Sequence, residues 1–329
     1  MLSFIIYKAI LIISVFLISL LVAMYSTYAE RKVAAFLQDR IGPDRAGPWG
    51  IFQPLADGVK MFMKEEIIPN VSNKWLFILG PSIAMLTACM TGAVIPWGTG
   101  ITIGETYYPL QVTDVNIGIL YLFGVVSIGV YGIMIGGWAS NNKFALLGAI
   151  RASSQMISYE LAMGLSIIAL VMMTGTLSTA EIAQQQHGWH WNVLYQPLGC
   201  LIFIICAFAE TNRAPFDMAE AESELVAGAY TEYAGMGFGV FFMAEYANIL
   251  LGCALGTVLF LGGWQSPIGI WSGLFWFLAK MYFLIFSVVW IRWTFPRTQF
   301  YGLLNLSWKI LIPISLATLL LTSVMLKIL

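Results

Sequence analysis

Long uninterrupted apolar runs restrict this sequence more than any other feature. They fall near residues 4–28, 76–97, 114–138, 157–176, 196–211, 238–262, 270–291 and 307–327. Most approach the roughly 20 residues that an α-helix needs to cross a hydrocarbon core of about 30 Å. Charged residues make up 10% of the 329-residue chain and hydrophobic residues 59%, whereas soluble domains carry about 25% charge. A membrane β-barrel would alternate apolar and polar residues over shorter segments, so these continuous runs exclude it. The expected fold is all-α: one polytopic membrane domain over residues 1–329 with eight transmembrane helices.

Lysines and arginines orient such a domain, because basic loops stay in the cytoplasm. Twelve of them follow runs 1, 3, 5 and 7, and none follows runs 2, 4 or 6. Those odd loops are expected to be cytoplasmic, and an even number of spans then puts both termini on the outer side. The first run is too long for a signal peptide and has no Ala-x-Ala-type site before Glu30, so a retained helix is expected. A net charge of −1 gives no electrostatic case for nucleic acid. Cys89, Cys200, Cys206 and Cys253 all lie in apolar runs without a Cys-x-x-Cys pair, which fits small buried hydrophobes better than cluster or zinc ligands. The outward loops are poor in chemistry and hold Glu105, Glu181 and both histidines. His187 and His190 have a spacing that could suit a metal, but no carboxylate or cysteine ligand accompanies them. Trp189 and Trp191 beside them fit a membrane interface.

Two polar stretches stand out. The cytoplasmic segment 29–75 opens with Gly42-Pro43 and Gly47-Pro48 turns and then becomes amphipathic from Ile51 to Lys64. Gln53, Asp57, Lys60 and Lys64 share one face of a helix there; Phe52, Leu55, Val59, Phe62 and Met63 form the other. Such a helix lies in the membrane interface. It either anchors the loop or forms a lateral gate at Phe52 and Leu55 for a molecule arriving from lipid. The second stretch is the cytoplasmic acidic loop 211–237 with its leading residue. Residues 210–226 hold five of the seventeen acidic residues and one arginine, Arg213. Were it helical, Asp217, Glu220 and Glu224 would share a face. Nothing nearby in sequence neutralises them, and crowded carboxylates raise one another's pKa, which points to proton handling.

Ionisable groups within spans cost about 2.5–3.5 kcal/mol each on insertion scales, so each is a functional candidate. Glu160 is expected near the cytoplasmic start of span 4, Glu210 at the end of span 5, Glu245 a third of the way into span 6 and Lys280 in the middle of span 7. Asp114 marks the outer mouth of span 3. With Asp217, Glu220, Glu222 and Glu224 they could form a chain of titratable groups. The bland alternative is a set of buried pairs, such as Lys280 with Glu245, that only fix packing.

Three ordered blocks then agree on one family. Ala29-Glu-Arg-Lys, Gln38-Asp-Arg-Ile-Gly-Pro-Asp-Arg-Ala-Gly-Pro and Gln53-Pro-Leu-Ala-Asp-Gly-Val-Lys make the first; Arg151-Ala-Ser-Ser-Gln-Met-Ile-Ser-Tyr-Glu is the second. Glu210-Thr-Asn-Arg-Ala-Pro-Phe-Asp, followed by Glu220, Glu222, Glu224-Leu-Val-Ala-Gly and Glu232-Tyr, is the third. Over essentially its full length the chain resembles the H-type subunit of proton-pumping NADH:quinone oxidoreductase, respiratory complex I (subunit 1 of the mitochondrial enzyme).

That resemblance implies a component of the bacterial inner (plasma) membrane that anchors the peripheral redox arm. Quinone, its substrate, would enter a tunnel shaped here by Arg31, Arg40, Asp57, Arg213 and Arg292, with Phe52 and Leu55 at its mouth. The terminal iron–sulfur cluster and the quinone head site would belong to peripheral-arm subunits, and no flavin, haem, iron–sulfur cluster or metal to this chain. Glu160, Glu210, Asp217, Glu220, Glu222, Glu224 and Glu245 would form the acidic path toward small membrane-arm and antiporter-like subunits. A homologous anchor of a membrane-bound hydrogenase or formate-linked complex is the alternative. One departure is visible: the family usually continues Pro-Arg with Arg-Tyr-Asp-Gln, but Pro296-Arg297 is followed here by Thr298-Gln-Phe-Tyr-Gly. This puts the polar contacts of that loop in doubt.

Overall fold

The computed structural model describes residues 2–103, 106–267 and 273–328. Helix α1 (Leu2–Leu37) continues well past the first apolar run; its 36 residues reach about 54 Å, so Glu30 and Arg31 lie on the helix and not in a loop. A glycine- and proline-rich turn leads to α2 (Gln53–Met63), which has Pro54 in its first turn. Leu55, Val59, Phe62 and Met63 on α2 are exposed. Helix α3 (Lys74–Thr91) is capped by Asn73, whose side chain accepts from the Leu76 amide. A hairpin of β1 (Ile101–Ile103) and β2 (Thr106–Tyr108), in antiparallel register Ile101↔Tyr108, interrupts the expected all-helical order. Glu105, expected in this outward loop, lies outside the described residues.

Helix α4 (Gly118–Ala139) packs against α3 where side chains are missing. A Cβ on Gly80 would come within 2.8 Å of the Gly136 Cα, and one on Gly132 within 2.9 Å of the Ala84 nitrogen. Such close backbone approach is how helices associate where apolar burial discriminates little. Asn142 caps α5 (Lys143–Thr174), a 32-residue helix that ends at Gly175 with φ 71°. Its length corrects the expected start at 157. Glu160 therefore sits in the middle of a helix, because Phe144 to Met156 continue the helix over buried alanine and serine positions.

Two short helices follow, α6 (Thr179–Gln185) and α7 (Asn192–Tyr195), before α8 (Pro197–Glu210). Helix α9 (Glu222–Leu225) is a single turn, and α10 (Gly235–Phe260) is largely buried. The last elements are α11 (Leu274–Thr294), α12 (Phe300–Leu306), a π-turn at Ser307–Leu311 and α13 (Ile312–Ile328). The expected beginning of the seventh span, 270–272, lies outside the described residues. Among the described residues, seven helices are long and apolar enough to cross a membrane: α1, α3, α4, α5, α10, α11 and the continuous Phe300–Ile328 segment. Helix α8, at 14 residues, is shorter.

Helix α10 organises the packing. Its Ile249, Leu250, Leu251, Ala254 and Val258 form a core with Ala23 of α1 and Phe277, Met281 and Ile285 of α11. On its other side Phe241 and Ala244 join Phe77, Ile133 and Met156. A third core sets Tyr159 and Ile167 of α5 against Ile202, Phe203 and Cys206 of α8.

Candidate functional site

The acidic stretch is not one helix, which corrects the expected shared face of Asp217, Glu220 and Glu224. Asn212 takes φ 50°, Pro215 has no amide hydrogen to donate, and Ala221 and Val226 take φ 42° and 67°. Asp217 closes a turn by accepting the Glu220 amide at 3.1 Å. Gln155 of α5 holds this turn from below, donating through Nε2 to the Ala209 and Phe216 carbonyls at 2.6 and 2.8 Å.

Burial is graded along the acids. Glu222 and Glu224 are exposed, Asp217, Glu220, Glu210 and Glu160 are half-buried, and Glu245 on α10 is buried. Three arginines reach this cluster, Arg213 from within the stretch and Arg151 and Arg297 from outside it, fewer than the acids they serve. Arg213 Nη2 lies 2.7 Å from Glu245 Oε2 with both side chains nearly inaccessible, and its guanidinium stacks 4.6 Å from the rings of Phe242 and Tyr246. Arg151 pairs with Glu224. Arg297 lies 3.8 Å from Glu224 Oε1 and donates through Nε to the Asp217 carbonyl at 3.0 Å. Arg213 is thus the buried counter-ion of Glu245.

The Tyr230 hydroxyl donates to Glu245 Oε1 at 2.8 Å. Burial, then the nearby Glu245 carboxylate, push the Tyr230 pKa well above its usual value, so the phenol remains the donor. Burial also raises the pKa of Asp217 and of Glu220; for Asp217 the hydrogen bond from Glu220 and the positive charge of Arg213 oppose it, and for Glu220 chiefly Arg213 does. Tyr230, Glu245, Glu210, Asn212 and Asn248 line a cavity of ≈ 70 Å³ between α3, α4, α5, α8 and α10. A water requires about 10–15 Å³ on this measure, so a few fit. Glu160 does not line it; its carboxylate accepts from Ser127 of α4.

A second set joins α1, α10 and α11. Arg292 pairs with Glu30, and the Tyr246 hydroxyl donates to Glu30 Oε2 at 2.5 Å. Arg31 Nη1 lies 2.7 Å from Asp57 Oδ2, which ties α1 to α2, and Gln53 donates to Asp57 at 3.0 Å. Arg40 is exposed and its side chain donates to Gln38 at 2.8 Å, while Phe52 and Leu55 are exposed. Sequence reasoning missed Glu30, Tyr230 and Tyr246. Glu30 and Tyr246 each adjoin an acid or base singled out, but their contact spans 216 residues and no local spacing encodes it.

Lys280 does not meet Glu245. It donates to the carbonyls of Leu261, Gly263 and Gln265, at the opposite end of α10. The altered loop keeps its anchorage by other atoms: the Thr298 amide and hydroxyl both donate to the Pro215 carbonyl, at 3.0 and 2.9 Å. Among the described residues no group of three or more His, Cys, Asp or Glu is arranged to hold a metal ion. His190 instead lies 2.7 Å from the Tyr195 hydroxyl.

The sequence profile of the NADH dehydrogenase family matches residues 9–323. The H-type subunit 1 of the NADH-quinone oxidoreductase of Cytophaga hutchinsonii is 59% identical over 330 residues, covering 97% of this chain and 96% of that protein. The H-type subunit of the Flavobacterium johnsoniae enzyme is 55% identical, covering 97% and 95%. The H-type subunit 2 of the Geobacter metallireducens enzyme is 48% identical, covering 95% and 93%. None of these relatives is named as a hydrogenase component. With its array of apolar helices and near full-length similarity, the chain belongs to the family of H-type subunits of NADH-quinone oxidoreductase, as a multi-pass membrane component of that enzyme complex, respiratory complex I.

Proposed function

We propose that this chain forms, with peripheral-arm partners, the wall of a quinone tunnel, and that it couples quinone reduction to proton movement along its carboxylates. The observation that carries the coupling half is the burial gradient ending in a cavity that polar residues line on part of its wall. Exposed Glu222 and Glu224 lead to half-buried Asp217 and Glu220, then to Glu245 and Glu210, which both line the cavity, with Glu160 beyond. Asn212 Oδ1 lines this cavity region and meets no protein donor among the described residues, which suits an acceptor for water. Water and carboxylates in alternation can hand a proton along by small rotations, and Tyr230 supplies a further hydroxyl.

The tunnel half rests on α1, α2 and α11. Arg31, Asp57 and Arg292 hold these helices by ion pairs, and Arg213 stacks between them and the acids. Arg40, Phe52 and Leu55 remain exposed, available to a quinone arriving from lipid or to a partner protein. In this reading α2 lies in the membrane interface with Leu55, Val59, Phe62 and Met63 toward lipid. Helix α8 is the eighth crossing. One flank bonds at the end of α10, through Asn192 to the Leu259 carbonyl, and the other nearer its middle, through Arg213 to Glu245. Both termini then face the outer side of the bacterial inner membrane, as the basic residues favour.

The test compares two variants in inverted vesicles. Glu210→Gln is expected to lower NADH-driven proton pumping and coupled quinone reduction together by tenfold or more. Asp57→Asn is expected to lower quinone reduction while NADH oxidation by a hydrophilic artificial acceptor persists. Undiminished pumping with Glu210→Gln removes the carboxylates from the mechanism, and undiminished quinone reduction with Asp57→Asn removes the tunnel.

A further inference from the structure

The last turn of α10 ends inside the apolar part of the molecule, where its final carbonyls have no helical partners. Each must find a donor or pay a desolvation penalty. The Thr257 carbonyl takes the amides of Leu261 and Gly263 at 3.1 and 2.8 Å. Gln186 Nε2 donates to Val258 and Leu259 at 2.9 and 3.3 Å, and Asn192 Nδ2 donates to Leu259 at 2.8 Å. Beyond the helix the chain turns through Gly262 and Gly263 at φ 74° and 51°. Only glycine takes this pair of conformations without strain. A Cβ on Gly262 would also stand 3.2 Å from the Trp191 ring.

This double left-handed turn aims alternate carbonyls, those of Leu261, Gly263 and Gln265, at one point. Lys280 Nζ occupies it, at 2.6, 3.1 and 2.7 Å, and lies 4.7 Å from the centre of the Trp191 ring. Three acceptors match the three N–H bonds of a primary ammonium, and the ring covers the charge from the side. The site also lies at a helix C-terminus, where the macrodipole favours a cation. Lys280 itself is 8% exposed, and no carboxylate hydrogen-bonds or ion-pairs with it among the described residues.

We propose that these three carbonyls and the Trp191 face form a primary-ammonium site, filled by the chain's own Lys280, which clamps α11 to the turn that closes α10. Lys280 therefore stands outside the proton path. The clamp joins the end of α10 to the first half of α11, helices that carry Glu245, Tyr246 and Arg292 elsewhere along their length, but it transfers no proton.

The test uses Lys280→Ala in the whole purified complex, because that substitution deletes three carbons and the nitrogen, which n-propylammonium restores. Expected are a fall of several degrees in the temperature at which quinone reductase activity is lost, and an unchanged proton yield per electron. Added n-propylammonium recovers the heat tolerance, whereas tetramethylammonium, equally charged but without N–H donors, does not. A normal heat tolerance with a lowered proton yield overturns the proposal and puts Lys280 in the path. Recovery by both ions, or by neither, overturns the donor cage. Should Lys280→Ala fail to assemble, Trp191→Leu keeps the three hydrogen bonds and removes the ring. It is expected to lower heat tolerance at constant proton yield, and a lowered yield at unchanged tolerance overturns the proposal.

Discussion

At the far end of α10 one ammonium meets three carbonyls and an aromatic face, so its three N–H bonds are satisfied without a carboxylate. Toward its other end Arg213 and Arg292 are shared among Glu245, Glu30, Asp217 and Glu220, with Glu210 across a cavity. Both regions bury charge, and both use residues distant in sequence. The difference lies in the remainder: acids outnumber their partners only beside the cavity. A single ammonium held by backbone carbonyls has, among the described residues, no carboxylate at that site to which its proton could pass. A site with surplus carboxylates can gain or lose a proton by redistributing the arginines it has. Buried charge alone is therefore poor evidence of proton transfer, and buried excess charge beside water-sized space is better evidence.

The largest way to break this comparison is to remove the arginine. Arg213→Met leaves Glu245 buried without its counter-ion, and breaking one partner of a buried pair costs about 3–5 kcal/mol. The variant is expected to lose most assembled complex in the membrane and nearly all quinone reductase activity. Adding Glu245→Gln should recover assembly, because neither charge is then stranded, without recovering proton pumping. If the double variant pumps normally, the pair is structural and the two ends of α10 are alike.

Solution pH offers a smaller effect with a definite sign. Burial holds the Glu220 carboxyl above its ordinary value, with Asp217 adding to the shift and Arg213 opposing it. The folded state thus binds that proton more tightly than the unfolded chain. The contribution to stability is full below the ordinary value of 4.5 and is lost as pH rises through the raised folded value. Glu220→Gln removes the ionisation, so heat tolerance measured between mildly acid and neutral pH is expected to fall less steeply than in the parent. An unaltered slope would show that Glu220 does not share the surplus charge.

Much of the fold was legible because hydrophobic length is a local property. Helices α3, α4, α10, α11 and α13 fall close to their apolar runs. Helices α1 and α5 exceed theirs, since Glu30-Arg31-Lys32 and Arg151 to Gln155 continue the helix while their polarity interrupts the apolar pattern. Helix α8 was legible in position, but its 14 residues fall below the length that marks a crossing. The acid cluster was legible as composition and not as geometry. Spacing of 217, 220 and 224 reads as a helix face until Asn212, Pro215 and Ala221 turn the chain. The partners were beyond reach for the same reason: Arg151 and Glu30 arrive from other helices, Arg297 from the loop after α11, and Lys280 chose carbonyls shaped by two glycines over any acid.

The smallest expected effect lies at the open end of the gradient. Arg151 and Glu224 pair where both side chains remain partly exposed, at 29% and 36%. Water screens such a pair, and exposed ion pairs contribute about 0.2–1 kcal/mol. Arg151→Ala is thus expected to change heat tolerance by no more than a degree or two, with Arg297 still near Glu224. Its effect on proton uptake should depend on ionic strength, being clearest in dilute salt and fading near about 0.5 M, because screening shortens the reach of the lost charge. A loss of pumping as deep as that of Arg213→Met, and indifferent to salt, would mean that the exposed pair behaves like the buried one. The gradient from Glu224 to Glu245 would then have no electrostatic meaning.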